Sequence, residues 1–135
     1  MPHTITRGAK ALVEEAKRAI KEYAADEAIE FAKRSDTVLV DVRDPRELER
    51  DGRIPGAFHC PRGMLEFWID PASPYFKPVF GEDKTFVFFC ASGMRSALAT
   101  KTAQDMGLKP VANLSGGFNA WKQAGGAVER IEEKS

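Results

Sequence analysis

Apolar residues fall along this chain in short runs separated by segments with helical spacing. Thr37 to Val42 and Thr85 to Phe89 are the clearest strand candidates, rich in β-branched and aromatic residues, the pattern of strands covered on both faces of a parallel sheet. Val111 to Leu114 repeats the pattern, and shorter runs at Ile20 to Tyr23 and Ala57 to His59 bring the expected strands to five. Residues 6–19 place Leu12, Val13, Ala16, Ala19 and Ile20 along one helical face. A second helix is expected over 25–33, where Asp26 and Glu27 suit a first turn. Asp44-Pro45-Arg46-Glu47 is a capping box with proline in the first turn, opening a short helix that stops near Gly52. Gly63 to Trp68 suits one or two helical turns. A longer helix is expected from Ser96 to its stop at Gly107, and a last one over Phe118 to Gln123, closed by Gly125-Gly126. Residues 69–83 hold three of the eight prolines and read as a surface excursion. Strands alternating with helices predict an α/β domain on a mainly parallel sheet. No internal repeat, low-complexity segment or linker interrupts it.

Composition narrows the class. The 135 residues suit one domain with a real core. Twenty basic residues balance twenty acidic ones, so no charge footprint points to nucleic acid or an anionic membrane as a partner. No apolar stretch approaches the ~20 residues of a membrane span. The first residues, Met1 to Arg7, lack the apolar core of a secretory signal, and a cytoplasmic protein is the expectation. The two cysteines, Cys60 and Cys90, form neither a disulfide framework nor a zinc spacing, so no metal is expected. The nucleotide-binding, zinc-protease, dithiol and dinucleotide fingerprints are all missing.

Candidate chemistry concentrates where the apolar run Thr85 to Phe89 ends on Cys90. Small residues follow (Ala91, Ser92, Gly93), then Met94, Arg95 and a helix. A thiol at the carboxyl end of a strand, facing a helix N-terminus, lies where open α/β sheets place their ligands. Unpaired amide N–H groups favour its anion there. Lowering a thiol pKa by ~2 units takes ~2.7 kcal/mol of preferential thiolate stabilisation, within reach of several N–H groups plus a guanidinium. Arg95, read as lying just before the helix, would close the rim and attract an anion. Ser92 and Ser96 carry hydroxyls able to bond a sulfur. Arg62, in a loop after a short strand, could reach the same rim, and Asp41 and Arg43 at a strand end suit hydrogen-bonded support of neighbouring loops. His59 beside Cys60, and Trp68 and Trp121, read as packing residues.

These residues resemble the single-domain rhodanese-like sulfurtransferases. Asp41-Val42-Arg43, continuing through Glu47, Gly52 and Ile54-Pro55-Gly56-Ala57, is similar to that family's N-terminal signature. Cys90 through Ser96 resembles its active-site loop, and Gly116-Gly117-Phe118 with Ala120-Trp121 and Gly125 its C-terminal signature. The resemblance implies a five-stranded parallel sheet with helices on both faces. Residues 1–19 would then be an added helical extension, 20–130 the rhodanese-like domain and 131–135 a tail. It also implies a Cys90 persulfide, charged by a small sulfur-containing anion such as thiosulfate and emptied onto a thiophile, cyanide in the standard assay, or onto a protein thiol. The amides of Ala91, Ser92, Gly93, Met94, Arg95 and Ser96 would cradle the sulfur, with no metal or organic cofactor. Four residues separate Cys90 from Arg95, the loop length of sulfur transfer; phosphatases of similar architecture carry one more. Two alternatives stay open beside the enzyme: a persulfide carrier to a protein partner, and a non-catalytic interaction module of the same fold.

Overall fold

The computed structural model describes residues 2–131; residues 132–135 of the expected tail lie outside the described residues. Its elements run α1 (Ala9–Ala19), β1 (Glu22–Tyr23), α2 (Ala25–Ala32), β2 (Thr37–Asp41), α3 (Pro45–Asp51), β3 (Phe58–His59), α4 (Leu65–Ile69), β4 (Thr85–Phe89), α5 (Met94–Met106), β5 (Val111–Leu114) and α6 (Gly117–Gln123). All five strands are parallel, in the order β1-β5-β4-β2-β3. The two longest apolar runs are central neighbours, β2 and β4, paired from Thr37 with Thr85 to Asp41 with Phe89. Central position explains their composition: side chains on both faces are buried, so neither face has polar positions to alternate with.

Helices cover both faces. On one, Val40, Phe86, Phe88 and Val111 pack with Leu65 and Ile69 of α4 and with Ala99 and Ala103 of α5. On the other, Leu39, Val87, Phe89 and Leu114 meet Ala28 of α2 and Phe118 and Trp121 of α6. α1 joins neither layer directly. Its Val13 and Ala16 rest on Ala97 of α5, so it is an added helix on the outside of the first layer. Small residues on α5 let both the sheet and α1 approach it closely.

Two sequence expectations shift in detail. The 69–83 segment is not wholly superficial: a 3-10 turn at Pro78–Gly81 buries Phe80. The Phe80 ring lies 5.6 Å from that of Phe58 and 5.4 Å from that of Phe86. Prolines marked the irregular backbone correctly, but Phe80, with Ile69, Phe76 and Val79, pins it to the core. The helix expected from Ser96 starts two residues earlier, at Met94, because Gly93 turns the chain with φ +96°. Arg95 is therefore the second residue of α5 rather than a loop residue before it.

Candidate active site

β4 delivers Cys90 to the carboxyl edge of the sheet between β2 and β5, and the next three residues reverse the chain into α5. The left-handed backbone of Gly93 brings its N–H back to Cys90, 3.2 Å from Sγ. A side chain at this position would crowd the Gly116 amide nitrogen at 3.1 Å, so glycine is required by both conformation and space. Within the first turn of α5, the Ser96 hydroxyl donates to the same sulfur over 3.4 Å. The Cys90 side chain is 0 % exposed. Burial pushes its thiol up, yet the Ser96 hydroxyl and the backbone N–H groups of Ser96, Gly93 and Ser92 outweigh it and hold the thiol below its ordinary value. The sulfur is thus buried among donors, not among hydrocarbon alone.

Three further contacts fix this loop. The Asn113 side chain, buried on β5, donates to the Gly93 carbonyl at 3.1 Å and to the Glu22 carboxylate at 2.8 Å. From the other side, the first amides of α6 clasp the loop. Phe118 N–H donates to the Cys90 carbonyl at 2.7 Å and Asn119 N–H to the Ala91 carbonyl at 3.1 Å. Gly117 allows that approach, since a Cβ there would lie 2.5 Å from the Cys90 carbonyl oxygen.

Arg95 and Glu47 close the rim. Both terminal nitrogens of Arg95 donate to the Glu47 carboxylate, at 2.8 and 2.9 Å. Glu47 is well placed for this because it also completes the α3 capping box, accepting from the Asp44 N–H at 2.9 Å. Arg95 is held more firmly protonated, first by the Glu47 hydrogen bonds and, against the cost of burial, by the negative charge on Cys90. The Glu47 carboxyl is correspondingly held below the usual carboxylate range by Arg95, against partial burial. Two of the five guanidinium donors are used in this pair, which leaves others for an anion.

The remaining expected residues lie farther from the sulfur. Asp41 and Arg43, each 1 % exposed, form a buried pair with contacts of 2.7 to 3.2 Å. Arg43 also donates to the Gly52 carbonyl and lies 4.2 Å from the centre of the Phe118 ring. The pair therefore touches the residue whose amide holds the Cys90 carbonyl, and makes no direct hydrogen bond to the sulfur loop among the described residues. Arg62 donates to Glu66 at 3.0 Å and Thr102 at 3.5 Å, on the α4–α5 side, with no bond to the cysteine loop among the described residues. The rim position expected of it is not where its donors go. His59 Nε2 donates to the Arg43 carbonyl at 2.7 Å, and the buried Cys60 thiol is pushed up to about 12. That second cysteine is chemically quiet.

Sequence reasoning missed Glu47, Asn113 and Gly117 as parts of this site. Glu47 was legible as a helix cap and Gly117 as part of the C-terminal signature; their roles at the site depend on contacts across the fold. Among the described residues no cluster of side chains suits a metal ion.

The comparisons agree with this architecture. A sulfurtransferase from Allochromatium vinosum is 33% identical over 95 residues, 70% of this chain and 80% of that protein. A solved structure from Rhodopseudomonas palustris, described as a protein of unknown function and possible tyrosine phosphatase, is 65% identical with a TM-score of 0.93. It covers 96% of this chain and 99% of its own. The solution structure of a polysulfide-sulfur transferase homodimer from Wolinella succinogenes is 31% identical at a TM-score of 0.71, covering 90% and 87%. With the five-stranded parallel sheet in place and residues 24–124 matching the rhodanese-like domain, the chain belongs to the rhodanese-like family.

Proposed function

We propose that the protein is a sulfurtransferase that carries a sulfane sulfur on Cys90. The observation that supports this most directly is the set of donors converging on one buried sulfur, from Gly93 and from Ser96. In the first half-reaction the Cys90 thiolate attacks the outer sulfur of thiosulfate. A new S–S bond forms, the donor's S–S bond breaks, and sulfite leaves with the electron pair. In the second, a thiophile such as cyanide attacks the outer sulfur of the persulfide, thiocyanate departs, and the thiolate is restored. Donors aimed at the sulfur favour the anion at each stage, as an oxyanion hole favours oxygen. Arg95 meets the negative charge of the incoming donor through its free N–H groups.

The sulfur is covered, so the outer part of the loop must part from it to admit a donor. Ser92, Met94 and Arg95 are the exposed residues there. Once charged, the nucleophile is longer by one S–S bond of about 2 Å, which carries the transferable atom toward the rim.

Thiosulfate-to-cyanide transfer, followed as thiocyanate formed, tests the reading. Activity in the wild type and none in Cys90→Ser is expected; equal activity in both would reject it. The phosphatase description attached to the Rhodopseudomonas palustris relative supplies a second reading. Against it stands the four-residue spacing from Cys90 to Arg95, one residue shorter than the loop the family resemblance implies for phosphatases of similar architecture. Aryl phosphate hydrolysis dependent on Cys90 would favour that reading instead.

A further inference from the structure

α1 lies outside the residues matched by the family model, and it forms one wall of a groove beside the Cys90 loop. Between α1 and the first turn of α5 runs a groove of about 460 Å³, a volume in the range of ligand sites. Its floor is apolar, from Val13 on α1 and from Met94 and Leu98 on α5. Met94 is 55 % exposed, a large apolar side chain left uncovered in the loop that also holds Cys90. Arg95 belongs to both places as well: it lines the groove and pairs with Glu47 across the rim described above. The groove therefore shares Met94 and Arg95 with the segment that follows Cys90.

Charge defines what fits. Lys10 and Lys17 stand on the α1 side of the groove, and among the described residues neither is in an ion pair. Glu14 lies between them on the same helix and is in no ion pair either among the described residues, so the rim carries two available cations against one anion. Arg95 adds a third cation already matched by Glu47. An occupant that buries an apolar side chain on Met94 and Leu98 and offers carboxylates to Lys10 and Lys17 satisfies both features.

We propose that this groove docks an acidic, leucine-like peptide segment of a partner protein, whose cysteine thiol takes the sulfur from Cys90. The proposal rests on the sulfurtransferase reading and names its acceptor class. In the transfer step the partner thiolate attacks the outer sulfur of the Cys90 persulfide. The new S–S bond forms on the partner, the old one breaks, and Cys90 leaves as the thiolate. No oxidant or reductant is needed. The two lysines steer and hold the segment, and the apolar floor fixes its depth.

The test uses fluorescently labelled short peptides with a central cysteine flanked by leucine and glutamate. A basic counterpart carries lysine for glutamate, and a polar counterpart carries serine for leucine. Binding is read by anisotropy on the full-length Cys90→Ser protein, so chemistry does not contribute. Tighter binding of the acidic leucine peptide than of either counterpart is expected. Reversing both lysines together, K10E with K17E, should weaken it about tenfold and improve the basic peptide, as loss and inversion of two exposed charge contacts imply. Gain by the basic peptide cannot come from misfolding. Equal binding of the acidic and basic peptides, or no effect of the lysine reversal, would overturn the groove; so would equal binding of the polar peptide, which leaves only surface attraction. Sulfur loading of the wild type is measured separately by intact mass after thiosulfate. A protein that selects the acidic peptide but never gains a sulfur overturns the sulfur reading and retains the docking surface. One that gains the sulfur but ignores peptide charge does the reverse.

Discussion

Replacing Ser96 by alanine removes one donor from the Cys90 sulfur and little else. Its hydroxyl bonds the sulfur over 3.4 Å, whereas its carbonyl continues to accept from the Thr100 hydroxyl at 2.7 Å, so α5 keeps its first turns. The Ser96 N–H, which also favours the thiolate, survives the change. A hydrogen bond to a charged group contributes about 1.5–3 kcal/mol, and a long contact to sulfur belongs at the low end. At 1.36 kcal/mol per unit, losing about 1.5 kcal/mol raises the thiol pKa by roughly one unit. The sign follows from the ionisation: less stabilisation of the anion moves the midpoint up, toward the ordinary thiol value of about 8.5. The assay is the rate of iodoacetamide alkylation across pH, read by intact mass in wild type and Ser96→Ala. Cys60 does not confuse the trace, because its buried thiol, pushed up to about 12, stays protonated through that range. A wild-type midpoint below the ordinary value and a variant midpoint about one unit higher are expected. Coincident midpoints would show that the hydroxyl does not stabilise the thiolate, and a wild-type midpoint above the ordinary value would refute the donor argument as a whole.

Three other outcomes follow from the same geometry. Arg95→Ala should lower kcat/KM for thiosulfate by ~10–100-fold through a lost charge-assisted contact; an unchanged value removes Arg95 from donor binding. Gly117→Ala forces a Cβ to within 2.5 Å of the Cys90 carbonyl oxygen at φ +62°. It should cost about 2 kcal/mol or more in urea unfolding, and a loss below about 0.5 kcal/mol would contradict the clasp by α6. The Glu47 carboxyl is held below its usual range, first by Arg95. Its contribution to stability is therefore full above that range and is lost as pH falls through the lowered value. Glu47→Gln should be less stable than wild type by about 1 kcal/mol near neutrality, a figure kept small because Arg95 is half-exposed, and the gap should close in acid. A gap that is independent of pH would assign Glu47 to capping alone.

What could be read from the sequence divides by the range of the interaction. β2 and β4 were legible because burial on both faces selects runs rich in β-branched and aromatic residues, and α3 because Asp44 and Glu47 cap it within three residues. Cys90 stood out because the apolar run stops on it. The start of α5 was misplaced because Gly93 opens it by a left-handed turn, without the side-chain cap that marks most helix starts. The Arg95–Glu47 pair spans 48 positions and the Asn113–Gly93 bond 20, so no local pattern announces either. Arg62 shows the converse. Its place after a short strand suggested the rim, but Glu66, one helical turn onward, offers it a nearer partner. The groove beside α1 needed both the packing of α1 on α5 and the exposure of Met94, and neither is visible in the helix periodicity alone.

The central claim is that Cys90 accepts and holds a sulfur atom. Intact-mass analysis of wild type and Cys90→Ser after thiosulfate treatment, with peptide mapping of the product, tests it most directly. A gain of one sulfur is expected in the wild type, mapped to Cys90, removed by cyanide and absent from the variant. No gain in the wild type, or the same gain in Cys90→Ser, would contradict it.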